Sequence, residues 1–262
     1  MTHKRVRQNF LYPEIKETDR TYAGVAEVIN PEGDWRPFLP PEELQNIRGI
    51  ESSSCYVEAQ QHSIATLQEQ KFLLPDQNYS ARFNALLSGG TENGGDPIKG
   101  IKSIKYDGCV PDDKMPFGED LHSFEDFHSW KGVNLRELRD LGKRWASEWR
   151  VGFKIVAEQD DPIKTKYLKL RGALKRSPVS ISVTAWFEEN GEYIKPEGMS
   201  DNHLCTAIYV DEKDRIFVRD TYFPFTKMLT PQFNFDFAMG YNLTRDLSGK
   251  KSICDLIKGL WK

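Results

Sequence analysis

The pattern of apolar residues changes at Pro178, and this change constrains the fold more than any other feature. Between 134 and 149, apolar residues recur every three or four positions, which is the spacing of an amphipathic helix. Between 179 and 183, apolar and hydroxyl residues alternate, which is the period of a half-buried strand. Helices followed by antiparallel strands are typical of an α+β fold, and we predict that class.

Further segments carry helix and strand signals. The stretch 55–71 lacks Gly and Pro and follows three serines, so we expect a helix that begins at Cys55 with a serine cap. The glycine-rich stretch 88–95 predicts a loop, and Asp96-Pro97 suits the start of the next helix. The remaining predicted elements are a helix over 163–175 and two strands over 204–210 and 216–219, joined by a polar turn.

Composition limits the classes of function. The chain has 262 residues with a formal net charge of -3, so it carries no basic field for a nucleic-acid backbone. It contains no apolar run of about 18 residues, so no membrane-spanning helix is predicted. The polar start at 1–10 does not resemble a signal peptide, so we expect a cytoplasmic protein.

One catalytic domain is the simplest organisation for this length. The first thirty residues are polar and irregular and end in a turn-rich Asn-Pro-Glu-Gly segment. We therefore predict an N-terminal extension over 1–30 and a single domain over 31–262.

The four cysteines are scattered and include no Cys-x-x-Cys pair, so neither a metal site nor a disulfide framework is predicted. Cys55 differs from the others because a helix N-terminus and a nearby histidine would stabilise its thiolate. His203 precedes one predicted strand and Asp220 follows the next, so a hairpin would bring a base and its orienting carboxylate together. We predict Cys55 as nucleophile, His203 as base and Asp220 as its partner.

The other cysteines and histidines are weaker candidates. His62 would lie about 10 Å along the same helix as Cys55, too far to act as its base. No strand pair follows His122 or His128. We assign packing roles to the three remaining cysteines, which are Cys109, Cys205 and Cys254.

The order of Cys, His and Asp around a hairpin resembles the papain-like cysteine peptidases. Several segments agree in the same order between about 34 and 225. They are Asp34-Trp35-Arg36 at the start of the domain, Ser54-Cys55, the loop Asn93-Gly94-Gly95-Asp96-Pro97, Ser177-Pro178-Val179-Ser180-Ile181, and the run from Gly191 to His203. No segment is specific alone, but together they imply a cysteine peptidase that needs no metal or organic cofactor.

The chain also departs from the family pattern. Tyr56 stands where the family has Trp, and Asp220-Thr221-Tyr222-Phe223 stands where it has Asn-Ser-Trp-Gly. Gly49 occupies the spacing of the family's oxyanion glutamine, so Gln45 would serve only if 47–53 form a longer loop. Ser52 and Glu92 replace the cysteines that join the two loops in the family.

The resemblance implies a two-lobe fold, with a helical lobe over about 45–120, a β-rich lobe over about 121–262 and the active site in the cleft between them. It implies that Gly94 and Gly95 pair with the substrate backbone. Asp96, Pro97, Ser182 and Asp201 match the main specificity pocket. With two carboxylates there, we expect polar or basic side chains to be preferred.

Two other functions stay open beside hydrolysis of a peptide or protein substrate. One is a catalytically silent papain-like domain that binds or supports a larger assembly. This chain also resembles papain-like proteins carried by bacteriophages. That resemblance implies a virion-associated role and a phage particle as partner. The other is an amidase that acts on cell-wall peptides with the same residue order.

Overall fold

The computed structural model describes residues 10–16 and 27–246. Within these ranges the helices are α1 (Cys55–Phe72), α2 (Ala81–Leu87), α3 (Pro97–Asp107), α4 (Phe124–Phe127), α5 (Leu135–Glu148) and α6 (Ile163–Leu174). The strands are β1 (Asn46–Ile47), β2 (Ile50–Glu51), β3 (Trp149–Ala157), β4 (Val179–Val183), β5 (Phe187–Glu189), β6 (Glu192–Ile194), β7 (His203–Val210), β8 (Ile216–Arg219), β9 (Thr226–Met228) and β10 (Ala238–Arg245). Cys254 and most of the 1–30 extension lie outside the described residues.

A six-stranded sheet forms the β part, in the order β3-β10-β4-β7-β8-β9. Every neighbouring pair in it is antiparallel. Two separate hairpins, β1-β2 and β5-β6, complete the strands of the described residues. Helices α1 and α6 both pack against strands of the sheet, so the predicted α+β class is confirmed. None of the helices within 10–16 and 27–246 is long and apolar enough to cross a membrane.

Helix α1 begins at Cys55, as predicted, and ends one residue later than expected. The expected serine cap is only partly correct. Ser54 is the cap residue, but with φ of -99° and ψ of 7° its side chain makes no hydrogen bond to the first turn. Its hydroxyl instead donates to the carboxyl of Glu58 at 2.9 Å. The buried Glu58 carboxyl requires a hydrogen-bond donor. The Ser54 hydroxyl supplies it and therefore does not cap the backbone of the first turn.

Strand β4 is fully buried rather than half-buried. It lies in the centre of the sheet between β10 and β7, and both α1 and α6 pack on it. The two serines of the strand are tolerated there because each finds a buried partner. Ser180 pairs with the hydroxyl of Tyr241 at 2.6 Å, and Ser182 donates to Asp201 at 2.5 Å.

Strands β3 and β10 have no counterpart in the sequence prediction. They pair with each other from Ala238 opposite Ala157 to Arg245 opposite Trp149. In β3 seven of nine residues are buried without a period of two, so its pattern does not distinguish a strand from a helix. Helix α5 precedes β3 and packs on both α3 and β3. The division into lobes at residue 120 stays a prediction.

The contact between α3 and α5 requires glycine. A Cβ at Gly142 would lie 2.2 Å from the carbonyl oxygen of Asp107, and one at Gly108 would lie 1.9 Å from the carbonyl oxygen of Gly142. Distances this short cannot be accommodated unless the backbone moves. The two helices therefore approach each other through backbone contact.

We expect Gly142→Ala to lower the free energy of unfolding by about 1–3 kcal/mol, because the added methyl group forces the helices apart. Gly172→Ala in α6 is the matched control, since a Cβ there meets no atom within 4 Å. That change should be neutral or stabilising by up to about 1 kcal/mol through helix propensity. Urea unfolding of wild type and both variants measures these free energies. Equal free energies of unfolding for the two variants would contradict a requirement for glycine at this contact.

Candidate active site

Cys55 is the first residue of α1, and its side chain is fully buried. Burial raises the pKa of its thiol well above the ordinary value, and the backbone of Leu204 acts in the opposite direction as a hydrogen-bond partner. The nearby negative charges of Glu58, Glu51 and Asp220 raise this pKa further. The thiol therefore lies against the start of β7, where burial favours its neutral form.

His203 is the first residue of β7 and is also fully buried. Its Nε2 lies 2.6 Å from Oδ1 of Asp220, and its ring packs between those of Trp186 and Tyr222 at centroid distances of 5.7 and 5.3 Å. Among the described residues Nδ1 has no hydrogen-bond partner. An ionised Asp220 can only accept, so Nε2 carries the proton and Nδ1 is the basic nitrogen of the neutral ring.

Asp220 follows β8 directly, and its backbone N–H donates to the carbonyl of Phe225 at 2.8 Å. Burial by itself would raise the pKa of its carboxyl, but the adjacent His203 and Lys227 outweigh burial and lower it. Nζ of Lys227 donates to Oδ2 at 2.6 Å. Lys227 carries no sequence signal for this role, because a lysine seven residues after Asp220 has no motif that distinguishes it from a surface lysine.

Gln45 reaches the site because the chain between it and Ser52 forms the β1-β2 hairpin. The backbone N–H of Ser52 donates to the carbonyl of Gln45 at 3.0 Å, so the hairpin projects outward as the extra loop. The side-chain amide of Gln45 donates to Glu51 at 2.7 Å and to the hydroxyl of Tyr222 at 2.8 Å. Its oxygen accepts from Thr221 at 2.6 Å. Gln45 thus lies beside the segment that follows Asp220, with its donors engaged by neighbours.

The glycine loop lies beneath the first turn of α1. Gly94 closes a turn with Thr91 and has a φ of +91°, which favours glycine. A Cβ at Gly95 would lie 2.1 Å from Cζ of Tyr56, so the tyrosine ring packs directly on that backbone. The hydroxyl of Ser53 donates to the carbonyl of Glu92 at 2.9 Å. A hydrogen bond therefore joins the two loops where the family pattern has a disulfide.

The residues that match the specificity pocket are engaged by the protein itself. Asp96 and Pro97 form the start of α3, where the Asp96 carboxylate accepts from a backbone N–H at 2.7 Å. Asp201 accepts from Ser182 and pairs with Lys195 at 2.9 Å, and its side chain is only 1% exposed. Both carboxylates therefore have partners within the protein, and the preference for polar or basic side chains stays a prediction.

A segment of the N-terminal extension covers the glycine loop. Phe10 forms a parallel backbone bridge with Gly95, and the N–H of Leu11 donates to the Gly95 carbonyl at 3.4 Å. The Phe10 ring packs on Phe237 at a centroid distance of 5.9 Å, and that of Tyr12 does so at 6.2 Å. This contact was not anticipated from the sequence. It occupies the backbone edge that the resemblance assigns to substrate.

The competing histidines have other partners. Nε2 of His62 lies 3.5 Å from a carboxyl oxygen of Glu43. Nε2 of His128 lies 3.0 Å from the carbonyl of Ser52, which fixes the loop before Cys55. Within the described part of the chain, no three His, Cys, Asp or Glu side chains converge as a metal site.

The positions of Cys55 and His203 predict a direct thiol–imidazole contact. We expect a crystal structure of the reduced protein to place Sγ within about 4 Å of Nδ1, allowing for loose geometry without substrate. A separation of about 8 Å or more, with no mobile hinge between the two residues, would contradict the pairing.

The sequence has no match among family models or curated proteins. Similar solved structures do exist. Xylellain, a cysteine protease from Xylella fastidiosa, is 18% identical with a TM-score of 0.63, and the alignment covers 91% of this chain and 98% of that chain. Digestive procathepsin L 3 from the larval midgut of Tenebrio molitor is 12% identical with a TM-score of 0.59, covering 86% and 74%.

The bromelain protease from Ananas comosus, in complex with the E64 inhibitor, is 14% identical with a TM-score of 0.54, covering 80% of this chain and 97% of that chain. Identities this low establish a shared fold and not a shared activity. The mixed helices and antiparallel sheet of this chain match the fold of these proteases. The chain has the papain-like cysteine protease fold.

Proposed function

We propose that this chain is a cysteine peptidase that hydrolyses peptide amide bonds through Cys55, His203 and Asp220. The observation that carries the proposal is the buried hydrogen bond of 2.6 Å between His203 Nε2 and Asp220, with Nδ1 left without a partner among the described residues. This arrangement sets the ring tautomer and leaves one basic nitrogen for the thiol at the start of α1.

In the first half of the proposed reaction, Nδ1 of His203 takes the thiol proton of Cys55. The thiolate then attacks the carbonyl carbon of the substrate amide, and the carbonyl π electrons move to oxygen. The backbone N–H of Cys55 and the side chain of Gln45 are the proposed donors to this oxyanion. The imidazolium gives its proton to the amide nitrogen, the C–N bond breaks, and the amine leaves. The acyl group remains on Cys55 as a thioester.

In the second half, His203 removes a proton from water as the water attacks the thioester carbonyl. The C–S bond then breaks, the imidazolium returns its proton to the Cys55 sulfur, and the carboxylic acid leaves. Asp220 stays ionised throughout and holds the ring through Nε2. Gln45 becomes available only when its contacts with Glu51 and Tyr222 open, because both use its amide protons.

Thiol reactivity tests the proposal. We expect wild type to hydrolyse casein under reducing conditions and to be labelled by E64, the inhibitor bound to bromelain in its complex. Cys55→Ala should lose labelling and at least about a thousandfold in turnover, because the proposed thioester forms on the Cys55 sulfur. Cys109→Ala is the matched control, since that thiol is also fully buried with a raised pKa. Equal turnover in all three proteins would contradict the peptidase proposal.

The second candidate is a catalytically silent papain-like domain in a larger assembly such as a phage particle. The complete burial of Cys55, whose pKa is raised by that burial, favours it. A virion-associated location belongs to this candidate, and a cytoplasmic location suits either. If wild type is folded but shows neither turnover nor labelling, the silent domain is the better account. Turnover of cell-wall peptides with no casein hydrolysis would favour the amidase.

The segment at Phe10 should limit activity, because its backbone pairs with Gly95, where substrate is proposed to bind. We expect Phe10→Ala to raise kcat/KM for peptides several-fold, since the change removes the buried ring that holds the segment on Phe237. Leu11→Ala is the control because that side chain is 43% exposed. The same kcat/KM for Phe10→Ala and wild type would show that the segment does not compete with substrate.

A further inference from the structure

Lys227 is a buried lysine at the back of the candidate active site. It lies in β9 opposite Val218 of β8, which places it beside the end of β8, where Asp220 follows. Its side chain is 1% exposed. A buried ammonium group is unfavourable unless each of its protons meets an acceptor.

All three ammonium protons have an acceptor. Nζ donates to Oδ2 of Asp220 at 2.6 Å, to the carbonyl of Tyr222 at 2.5 Å and to the carbonyl of Pro224 at 2.6 Å. The ring of Trp186 lies 4.8 Å away, and the same ring packs edge-on against His203 at 5.7 Å. The lysine is thus held rigidly in the environment that encloses the imidazole.

Asp220 consequently has two partners on its two oxygens. Oδ1 faces His203 and Oδ2 faces Lys227, each at 2.6 Å. The carboxylate and the ammonium carry opposite unit charges, so together they present no net charge to the ring. The papain-like pattern has a neutral asparagine at this position, which also accepts through one oxygen.

We propose, on the basis of the proposed function, that Lys227 is a positioning residue that orients Asp220 and cancels its charge, so that His203 meets the pair as a neutral hydrogen-bond acceptor. This explains how an aspartate replaces asparagine without an uncompensated negative charge beside the catalytic ring. It also means that Asp220→Asn alone does not restore the family arrangement, because it leaves the Lys227 ammonium buried without its carboxylate.

The proposal makes opposite predictions for the two single variants. In Lys227→Met the carboxylate loses its compensating charge and stabilises the imidazolium, which cannot accept the thiol proton, so the acid limb of the kcat/KM profile should move up by about one pH unit or more. In Asp220→Asn the ammonium is uncompensated and disfavours the imidazolium, so the limb should move down. In the double variant Asp220→Asn/Lys227→Met both charges are absent, and the limb should return close to that of wild type.

Lys166→Met is the matched control for loss of a buried lysine. Its ammonium donates to Asn234 and to the carbonyl of Phe235, at 2.9 and 2.7 Å. We expect this variant to lower the melting temperature, as each single variant at the site should, without moving the pH profile. The double variant should recover most of the melting temperature lost by Asp220→Asn.

The same cycle can be followed without turnover. The ring nitrogens of His203, observed by NMR in a Cys55→Ala background, should titrate with the same opposite shifts and the same cancellation. If wild type has no activity, the peptidase proposal fails while this titration still decides the role of Lys227. The role of Lys227 would be overturned if the two single variants shifted in the same direction or did not shift. It would also be overturned if the double variant differed from wild type as much as the single variants do. If the single variants do not fold, a double variant that titrates like wild type supports the proposal and one that does not overturns it.

Discussion

The enclosure of helix α1 is the constraint on which the rest of the structure depends. Its first fourteen residues are buried, although half of them are polar. A polar side chain tolerates burial only with a fixed partner. Gln60 and Gln61 donate to carbonyls at the starts of α3 and α2, at 2.6 and 3.1 Å. Thr206 of β7 donates to a carbonyl within α1 at 2.9 Å. These bonds set the position of α1 against the sheet, and hence of Cys55 against His203.

Each departure from the papain-like pattern is accompanied by a local structural adjustment. Extra residues before the nucleophile form a hairpin, so Gln45 still reaches the end of β8. The hydroxyl of Ser53 bridges the two loops that a disulfide would otherwise join. Tyr56 packs on a glycine whose missing Cβ leaves room for the ring. Lys227 accompanies Asp220, the third residue of the proposed triad. Each changed residue therefore has a defined contact within the same fold.

The candidate site is enclosed by the surrounding protein. Cys55 and His203 are both fully buried, and the amide of Gln45 is engaged by Glu51 and Tyr222. The N-terminal segment at Phe10 adds a strand-like contact to the glycine loop. Burial raises the pKa of the Cys55 thiol and so favours its neutral form, which is a poor nucleophile. In the proposed reaction, substrate would have to replace these internal contacts with its own backbone and carbonyl oxygen.

The sequence alone determined the features that depend on local order. The start of α1 at Cys55, the helix over 135–148, the strand from 179 and the order of Cys, His and Asp all follow from short-range periodicity, caps and collinear segments. Only the tertiary structure decided which distant groups meet. The β3-β10 pairing, the contact of Phe10 with Gly95 and the ion pair of Asp220 with Lys227 carry no local signal, because partner choice there is set by packing of the whole sheet.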